Sequence, residues 1–394
     1  MQDGLLDLGW GGVAIAALIF THITIASVTI YLHRHSAHRA VDLHPIISHF
    51  FRLWLWLTTG QETKAWTAIH RKHHARCETE EDPHSPQVLG IRKVLLEGAE
   101  LYRKEAKNKE TMEKYGFGTP DDWLERNLYE KHSRWGIVAM LGINVVLFGP
   151  LGLTVWAVQM AWMPVFAAGI VNGIGHYWGY RNYETEDAAT NIVPWGILIG
   201  GEELHNNHHA FPSSAKLSSR PWEFDIGWLY IRILSALNLA TVKKVAPKPV
   251  LVPGKTGVDA ETVKAIMVNR MHVLASYARD VIKPTFKAEL KHADDSWRQL
   301  LKSSRRLLVR DERLIDDRAK GRLIVVLNQS SALQTVYDYK VQLQALWQRS
   351  SHLGNHELVA GLQDWCRQAE ASGIQSLRDF AARLQSYTLH PAAM

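Results

Sequence analysis

The sequence predicts an all-α protein in which an integral-membrane helical domain with a histidine-rich cytoplasmic cap precedes a soluble helical domain. Three observations lead to this expectation. Two long stretches carry no charged residue, 15 of the 20 histidines lie before residue 210, and the chain after Pro249 is charged, with helical periodicity and few helix breakers. The 394 residues leave room for both parts, and we expect domains at residues 1–245 and 246–394.

The first uncharged stretch, Gly11–Leu32, has 22 residues, which is the length that a helix needs to cross a hydrocarbon core. No Lys or Arg precedes it, so it does not fit a cleaved secretory signal. The second stretch, Gly136–Tyr180, has 45 residues and is interrupted by Gly149 and Pro150, which indicates two crossings joined by a tight turn. The predicted spans are residues 11–32, 136–150 and 153–178.

The distribution of basic residues predicts how these spans are oriented. Residues 63–134 carry 14 Lys and Arg and residues 241–394 carry 24, whereas residues 1–10 carry none. Because cytoplasmic loops are enriched in Lys and Arg, we expect both basic regions on the cytoplasmic side of a bacterial inner membrane. Two shorter apolar runs, 46–60 and 192–201, should lie at the membrane surface, and His49 and Arg52 in the first run favour an interfacial helix.

Cysteine usage limits the kinds of metal site that the chain can build. Only two cysteines are present, Cys77 and Cys366, which excludes both a disulfide framework and a four-cysteine iron–sulfur cluster. A tightly bound metal ion must therefore rely on other ligands.

Three histidine-rich segments, which we call the first, second and third boxes, are the strongest functional signal. They are His33–His38 (HRHSAH), His70–His74 (HRKHH) and His205–His209 (HNNHH). Positions i, i+3 and i+4 share a helix face, so we expect the second and third boxes each to aim three imidazoles at one point. In the first box the H-x4-H spacing does not close on an α-helical face. We expect the chain to unwind between His33 and His38, with His35 pointing elsewhere.

Eight imidazoles exceed the four to six ligands of a single ion, so two metal ions are implied, and neutral imidazole suits iron, copper or zinc. Isolated histidines are usually surface residues, but three ordered boxes disfavour that interpretation. A carboxylate-bridged bundle built on two Glu-x-x-His pairs is also disfavoured, because Pro83 interrupts the pair formed by Glu81 and His84. Glu202 and Glu203 are instead expected to orient the imidazoles of the third box.

The three boxes, in this order around apolar spans, resemble the membrane fatty acyl desaturases of the stearoyl-CoA desaturase type over nearly all of residues 11–245. Further matching strings are Asp82-Pro-His84, Asn172-x3-His176 with Gly179-Tyr-Arg181, and His208-His-Ala-Phe-Pro212. The sequence departs from that family in three ways. Asn207 stands where a Tyr is common, one span rather than two precedes the first box, and Thr67-Ala68-Ile69 lacks the family's basic residue before the second box.

The resemblance implies a site with two Fe ions held by nine histidines and by a water on an asparagine. Matched by motif, these residues are His33, His38, His70, His73, His74, His176, His205, His208 and His209, with Asn172 acting through the water. It also implies that dioxygen is the co-substrate and that a cis double bond, by family default Δ9, enters a saturated long-chain acyl group. A related lipid hydroxylase or ketolase is the alternative.

Partners follow partly from the resemblance and partly from what the sequence lacks. No dinucleotide fingerprint, haem-attachment string or iron–sulfur motif is present, so electrons should come from a ferredoxin or a flavin/iron–sulfur NAD(P)H reductase. The acyl carrier stays open between CoA and phospholipid, either of which could bring phosphates to Arg71, Lys72, Arg76, Arg92 and Lys93.

The C-terminal region is the least informative part of the sequence. Residues 336–384 resemble the helical tail of certain bacterial transposases, but no acidic catalytic triad accompanies them. We therefore expect no nucleic acid partner, and we interpret this region as a helical docking or oligomerisation module.

Overall fold

The computed structural model describes residues 4–349 and 354–389, which are mostly helical. The chain forms two compact units. The first unit comprises the residues up to Asn182 together with Asp187–Ala246, and the second comprises Tyr183–Glu186 together with the chain from Pro247 onward.

The first unit contains ten α-helices and short pieces of other structure. The α-helices are α1 (Trp10–Ser27), α2 (Pro45–Thr58), α3 (Thr63–Arg76), α4 (Pro86–Leu89), α5 (Ile91–Glu105), α6 (Lys109–Tyr115), α7 (Ser133–Phe148), α8 (Gly152–Met163), α9 (His205–Ala210) and α10 (Ile226–Ala236). Segments Val28–Ala37, Glu125–Tyr129 and Pro164–Ile174 are π-helical, and Gly149–Leu151 is a 3₁₀ turn. Strand β1 (Val41–Leu43) pairs antiparallel with β4 (Ala240–Val242), and β2 (Trp195–Gly196) pairs in parallel with β3 (Phe224–Asp225).

Two helical segments of the described chain are long and apolar enough to cross a membrane, Trp10–Ala37 and Ser133–Ile174. The first is α1 continued without a break by a π-helix, so it ends at Ala37 rather than at the predicted Leu32. The second folds back on itself where Gly149 adopts a φ of 62°, a conformation that favours glycine. Asn144 of α7 donates a 2.7 Å hydrogen bond to Gln159 of α8 across this hairpin.

Helix α3, which carries the second box, packs along the π-helix that carries the first. Arg71 ties the two together, because its guanidinium donates hydrogen bonds to the carbonyl oxygens of Ser36 (2.7 Å) and Ala37 (2.9 Å). The same guanidinium donates to the carbonyls of Tyr115 and Phe117. Arg71 therefore has a structural role.

A buried ion pair fixes the first box to the chain that follows the third. Arg34 and Asp225 are 1% and 0% exposed and 2.8 Å apart, and Arg34 also donates to the carbonyls of Gly200 and Ala215. Breaking such a pair by removing one partner typically costs about 3–5 kcal/mol of stability, because the remaining charge stays buried. The pair thus holds the segments around two boxes in register.

The second unit has a hydrophobic core of its own. It contains α11 (Ala260–Val268), α12 (Arg270–Tyr277), α13 (Lys283–His292), α14 (Asp295–Ser304), α15 (Asp317–Gln329), α16 (Ser331–Gln348), α17 (Asn355–Ala371) and α18 (Gln375–Gln385), with a π-turn at Ala278–Ile282, a 3₁₀ turn at Glu312–Leu314, and strand β5 (Val250–Leu251) antiparallel to β6 (Tyr387–Thr388). Tyr277, Leu343, Trp365 and Phe380 lie in this core. Tyr183–Glu186 belongs to this unit, with Glu186 paired to Arg313 at 2.9 Å.

Candidate metal centre

Five imidazoles converge in what we call the first cluster: His33, His38, His70, His74 and His208. Their ligand atoms lie within 4.8 Å of one another. The Nε2 atoms of His38 and His70 are 2.8 Å apart, and the Nε2 atom of His208 lies 3.1 Å from that of His33 and 2.9 Å from that of His74. All three boxes contribute to this cluster.

Four further imidazoles form the second cluster: His73, His176, His205 and His209. The Nε2 atom of His176 lies 3.1 Å from that of His73 and 2.9 Å from that of His205. The ring of His209 is 4.7 Å from that of His176, centroid to centroid. The Cys77 sulfur lies 3.9 Å from His73 Nε2, and it belongs to the same group of candidate ligand atoms as His73, His176 and His209. Burial raises the pKa of this thiol.

The expectation that each H-x-x-H-H box aims all three rings at one point is wrong. In the second box His70 and His74 join the first cluster and His73 joins the second, whereas in the third box His208 joins the first cluster and His205 and His209 join the second. Successive α-helical residues are rotated by ~100°, so neighbouring histidines point in different directions. Each box therefore serves both clusters.

The prediction that the chain unwinds between His33 and His38 of the first box is also wrong. The helix instead widens into a π-helix over Val28–Ala37, and the amide of His38 donates to the carbonyl of His33 five residues earlier. This i to i+5 repeat brings the two histidines onto one face. His35 points away from the clusters as expected, stacking on Tyr31 and bonding the Val41 carbonyl at 2.9 Å.

The donor set fits metal binding. Two nitrogens that bind one ion at ~2.1 Å and subtend a right angle lie ~3.0 Å apart, which matches the Nε2 separations within both clusters. Burial lowers the pKa of six of these rings well below the usual 6.5, so they are neutral; they are His38, His70, His74, His205, His208 and His209. The Nε2 atom of His209 is also buried without a hydrogen-bond partner among the described residues.

Carboxylates hold the outer nitrogens of the second cluster. Asp82 lies 3.0 Å from His73 Nδ1, Glu78 lies 3.0 Å from His176 Nδ1, and Asp187 lies 2.9 Å from His209 Nδ1. Such contacts fix the ring orientation and direct the Nε2 lone pair toward a metal. The spacing of the boxes gave no sign of Glu78 or Asp187, because both lie outside them and reach the rings through the tertiary fold.

Glu202 and Glu203 were both expected to orient histidines of the third box, and they behave differently. Glu202 reaches His33 Nδ1 at 2.8 Å with one oxygen, while its other oxygen is 3.9 Å from His205 Nδ1, so it lies between the clusters. Glu203 instead accepts hydrogen bonds from the backbone amides of Ile199 and Gly201. The expectation for Glu203 is therefore wrong, since this carboxylate shapes the turn before the third box.

A cavity of about 400 Å³ adjoins both clusters. Residues from both clusters line it, among them His33 and His205, and so does Asn172. Much of the remaining wall is apolar, with Val28, Met163 and Val171 among its members. An elongated apolar ligand would thus pass directly beside the imidazoles.

Three of the basic residues considered for phosphate binding have other contacts. Arg71 donates to backbone carbonyls, as described above, Lys72 pairs with Glu105 at 2.8 Å, and Arg76 pairs with Glu81 at 3.1 Å. Arg92 and Lys93 are exposed on α5.

Residues 8–224, more than half of the chain, match the sequence model of the fatty acid desaturase family. The chain belongs to this family. It is 28% identical over 241 residues to Delta-9 acyl-lipid desaturase 1 of Arabidopsis thaliana, which covers 60% of this chain and 76% of that protein. It is 28% identical over 246 residues to the sn-1 stearoyl-lipid 9-desaturase of Anabaena variabilis, covering 61% and 87%.

The name of a third desaturase relative refers to acyl-CoA, whereas the names of the first two refer to lipids. Acyl-CoA 5-desaturase AL21 of Anemone leveillei is 28% identical over 244 residues, covering 60% of this chain and 73% of that protein. Membership of the family therefore makes this chain an oxidoreductase that desaturates acyl groups, but similarity alone does not select the carrier. Outside the desaturase region, residues 257–390 match a transposase family model.

Proposed function

We propose that the protein is a membrane-embedded di-iron desaturase that uses dioxygen to insert a cis double bond, at Δ9, into a saturated long-chain fatty acyl group. The observation that carries this proposal is the position of two imidazole clusters beside one largely apolar cavity. A methylene chain in that cavity would present its C–H bonds to both clusters, which is the arrangement that desaturation needs.

Each iron would be held by one cluster, with Asn172 holding a water on one of the two irons. When bound, the two irons would supply the reductive activation of dioxygen that removing hydrogen from an unactivated methylene requires. Burial within the chain keeps six of the nine imidazoles neutral, carboxylates orient several of the rings, and largely apolar walls would surround the substrate. The reaction balances as one –CH2–CH2– unit, one O2, two electrons and two protons giving one –CH=CH– unit and two waters.

The two electrons would come from a separate protein, a ferredoxin or a flavin/iron–sulfur NAD(P)H reductase. Membrane placement is supported by the two long apolar segments and by exposed apolar side chains on the hairpin, such as Val138, Val146 and Leu153. With the basic loops on the cytoplasmic side, both clusters would face the cytoplasm of a bacterial inner membrane.

Expression in a host that makes only saturated acyl chains tests the proposal. The full chain should generate monounsaturated products with the double bond at Δ9, identified by mass spectrometry, and His73→Ala should generate none. Purified protein should contain close to two irons and be inactive with NAD(P)H until an electron-transfer protein is added. Formation of only hydroxylated or ketone products would contradict desaturation and favour the alternative activity.

A further inference from the structure

The cavity wall also includes polar residues that belong to neither imidazole cluster. Among them are Gln61 and Glu62 of the loop between α2 and α3 and Tyr102 of α5, and the charge of Glu62 acts on Tyr102. The neighbouring Arg103 also lines the cavity, and its side chain is 72% exposed, so this part of the wall, which we call the outer end, lies close to solvent. Polar groups at the outer end of an apolar cavity commonly fix the orientation of a ligand.

The hydroxyl of Tyr102 is buried and has no hydrogen-bond partner among the described residues. A buried polar group without a partner destabilises the fold unless a ligand or a water satisfies it. Burial, and to a smaller extent Glu62, raise the pKa of Tyr102, so the phenol keeps its proton and can donate a hydrogen bond. The cavity therefore contains an unused donor close to its open end.

An acyl group carries one strong acceptor, the carbonyl oxygen at its linkage to the carrier, and the rest of the chain is apolar. We propose that Tyr102 donates a hydrogen bond to this carbonyl and thereby sets which carbon–carbon bond lies beside the imidazole clusters. This inference rests on the proposed function and deepens it, because it assigns the end of the cavity that receives the carbonyl and a residue that determines double-bond position.

Both possible acyl carriers present this carbonyl, CoA in a thioester and a glycerophospholipid in an ester. Binding should be measured on the full-length, iron-loaded protein without reductant, so that no turnover occurs. The probes are stearoyl-CoA with its thioether analogue S-octadecyl-CoA, and distearoyl phosphatidylcholine with its diether analogue. Each analogue keeps the chain and lacks only the carbonyl oxygen.

Wild-type protein should bind the carbonyl form of one pair about threefold to tenfold more tightly than its analogue, the range expected of a neutral hydrogen bond. The pair that shows this preference identifies the carrier. Tyr102→Phe should abolish the preference and leave binding of the analogue unchanged. Tyr31→Phe is the matched control, since its hydroxyl is also buried without a described partner but does not line the cavity.

Product analysis gives a second readout. Tyr102→Phe should retain its iron and yield a mixture of double-bond positions where the wild type yields one. An unchanged carbonyl preference in Tyr102→Phe, no preference in the wild type, or the same loss in Tyr31→Phe would each overturn the role of Tyr102 and leave the desaturase proposal standing. Failure to bind either carrier, with no unsaturated product in cells, would overturn both.

Discussion

The two histidine clusters differ in what holds the outer side of their rings. In the second cluster three of the four imidazoles contact a carboxylate through Nδ1, those of His73, His176 and His209. In the first cluster Glu202 lies 2.8 Å from His33 Nδ1, but the Nδ1 atoms of His33 and His208 are both buried without a hydrogen-bond partner among the described residues. The two sets of ligands are similar in type and different in electrostatic surroundings.

This difference teaches that the two proposed irons should not be equivalent. A carboxylate on Nδ1 makes the opposite nitrogen more basic, which strengthens its bond to a metal and also its affinity for a proton. Although burial alone would lower it, the charge of Asp82 raises the pKa of His73. The second cluster should therefore contain, at His73, the ligand that responds most strongly to pH.

The largest effects are expected from removing one ligand of each cluster on the same helix. His70→Ala and His73→Ala should each lose about one of two irons and lower desaturation by more than ~100-fold, beyond the ~10–100-fold typical of outer partners. Iron analysis with Mössbauer spectroscopy should show that the residual iron differs between the two variants. His35→Ala is the control and should keep both irons, and loss of both irons in each variant would argue against two separate positions.

His176→Ala tests the ligand that lies outside the boxes. Its ring is fully buried and its Nε2 atom lies between those of His73 and His205, so its removal should match His73→Ala in iron content and activity. Asn172→Ala should spare most iron and slow turnover roughly tenfold, because it would remove only a water contact. Full iron and activity in His176→Ala would mean that another ligand, such as His84, completes the second cluster.

A smaller effect should follow the loss of a carboxylate. Asp82→Asn should weaken iron binding at the second cluster by ~10–100-fold and leave the first unchanged. Glu202→Gln should weaken both, because this residue lies between His33 and His205. Competitive titration with a chelator would measure the iron affinity of each variant. An equal loss of affinity at both clusters in Asp82→Asn would contradict the proposed difference between the clusters.

The two clusters should also differ in how they retain iron as the pH falls. Protons compete with metal at a histidine once the pH falls to its pKa. The pKa lies above 6.5 for His73 of the second cluster, and well below 6.5 for His70 and His74 of the first cluster and for His205 and His209 of the second, so His73 is the ligand expected to take up a proton first. As the pH falls from 7.5 to about 6, the second cluster should release iron before the first. Asp82→Asn should reduce this difference, and simultaneous release in the wild type would contradict it.

The smallest effect is expected at Cys77. Burial raises the pKa of this thiol, and its sulfur lies 3.9 Å from His73 Nε2, so we expect Cys77→Ser to keep two irons and to change activity less than about twofold. Absorption of the cobalt-substituted protein gives an independent check, since a sulfur ligand adds an intense near-ultraviolet band. Such a band in the wild type that Cys77→Ser removes would make the thiol a ligand.

The parts of the site that sequence could predict are those that depend on local spacing. Eight of the nine cluster histidines lie in the boxes, and the resemblance added His176, which lies in the second cluster. The division of the boxes between two clusters could not be read from spacing, because i, i+3 and i+4 are compatible with one target or two. The contacts of Glu78 and Asp187 with His176 and His209 depend on loops, whose course is set by tertiary packing.

The same distinction applies to the fold. Uncharged length predicted the first span and the hairpin at Gly149, because crossing a hydrocarbon core sets a minimum length. The widening of the first span into a π-helix leaves no pattern of apolar residues that differs from an α-helix. It became visible only through the hydrogen bond from His38 to the carbonyl of His33.

Consecutive histidines belong to different clusters in two places. The pairs are His73–His74 and His208–His209, and each pair contributes one ring to the first cluster and one to the second. The ring centroids are 5.5 Å apart in both pairs, and in each pair the separation spans a single peptide unit within a helix. At two places, therefore, a single peptide unit links a ligand of one cluster to a ligand of the other. These covalent links set the distance between the clusters independently of the cavity wall. Substitutions that lengthen or shorten the cavity should change which substrate is accepted while the spacing of the two proposed metal positions stays constant. This scaffold is therefore suited to engineering of chain-length preference.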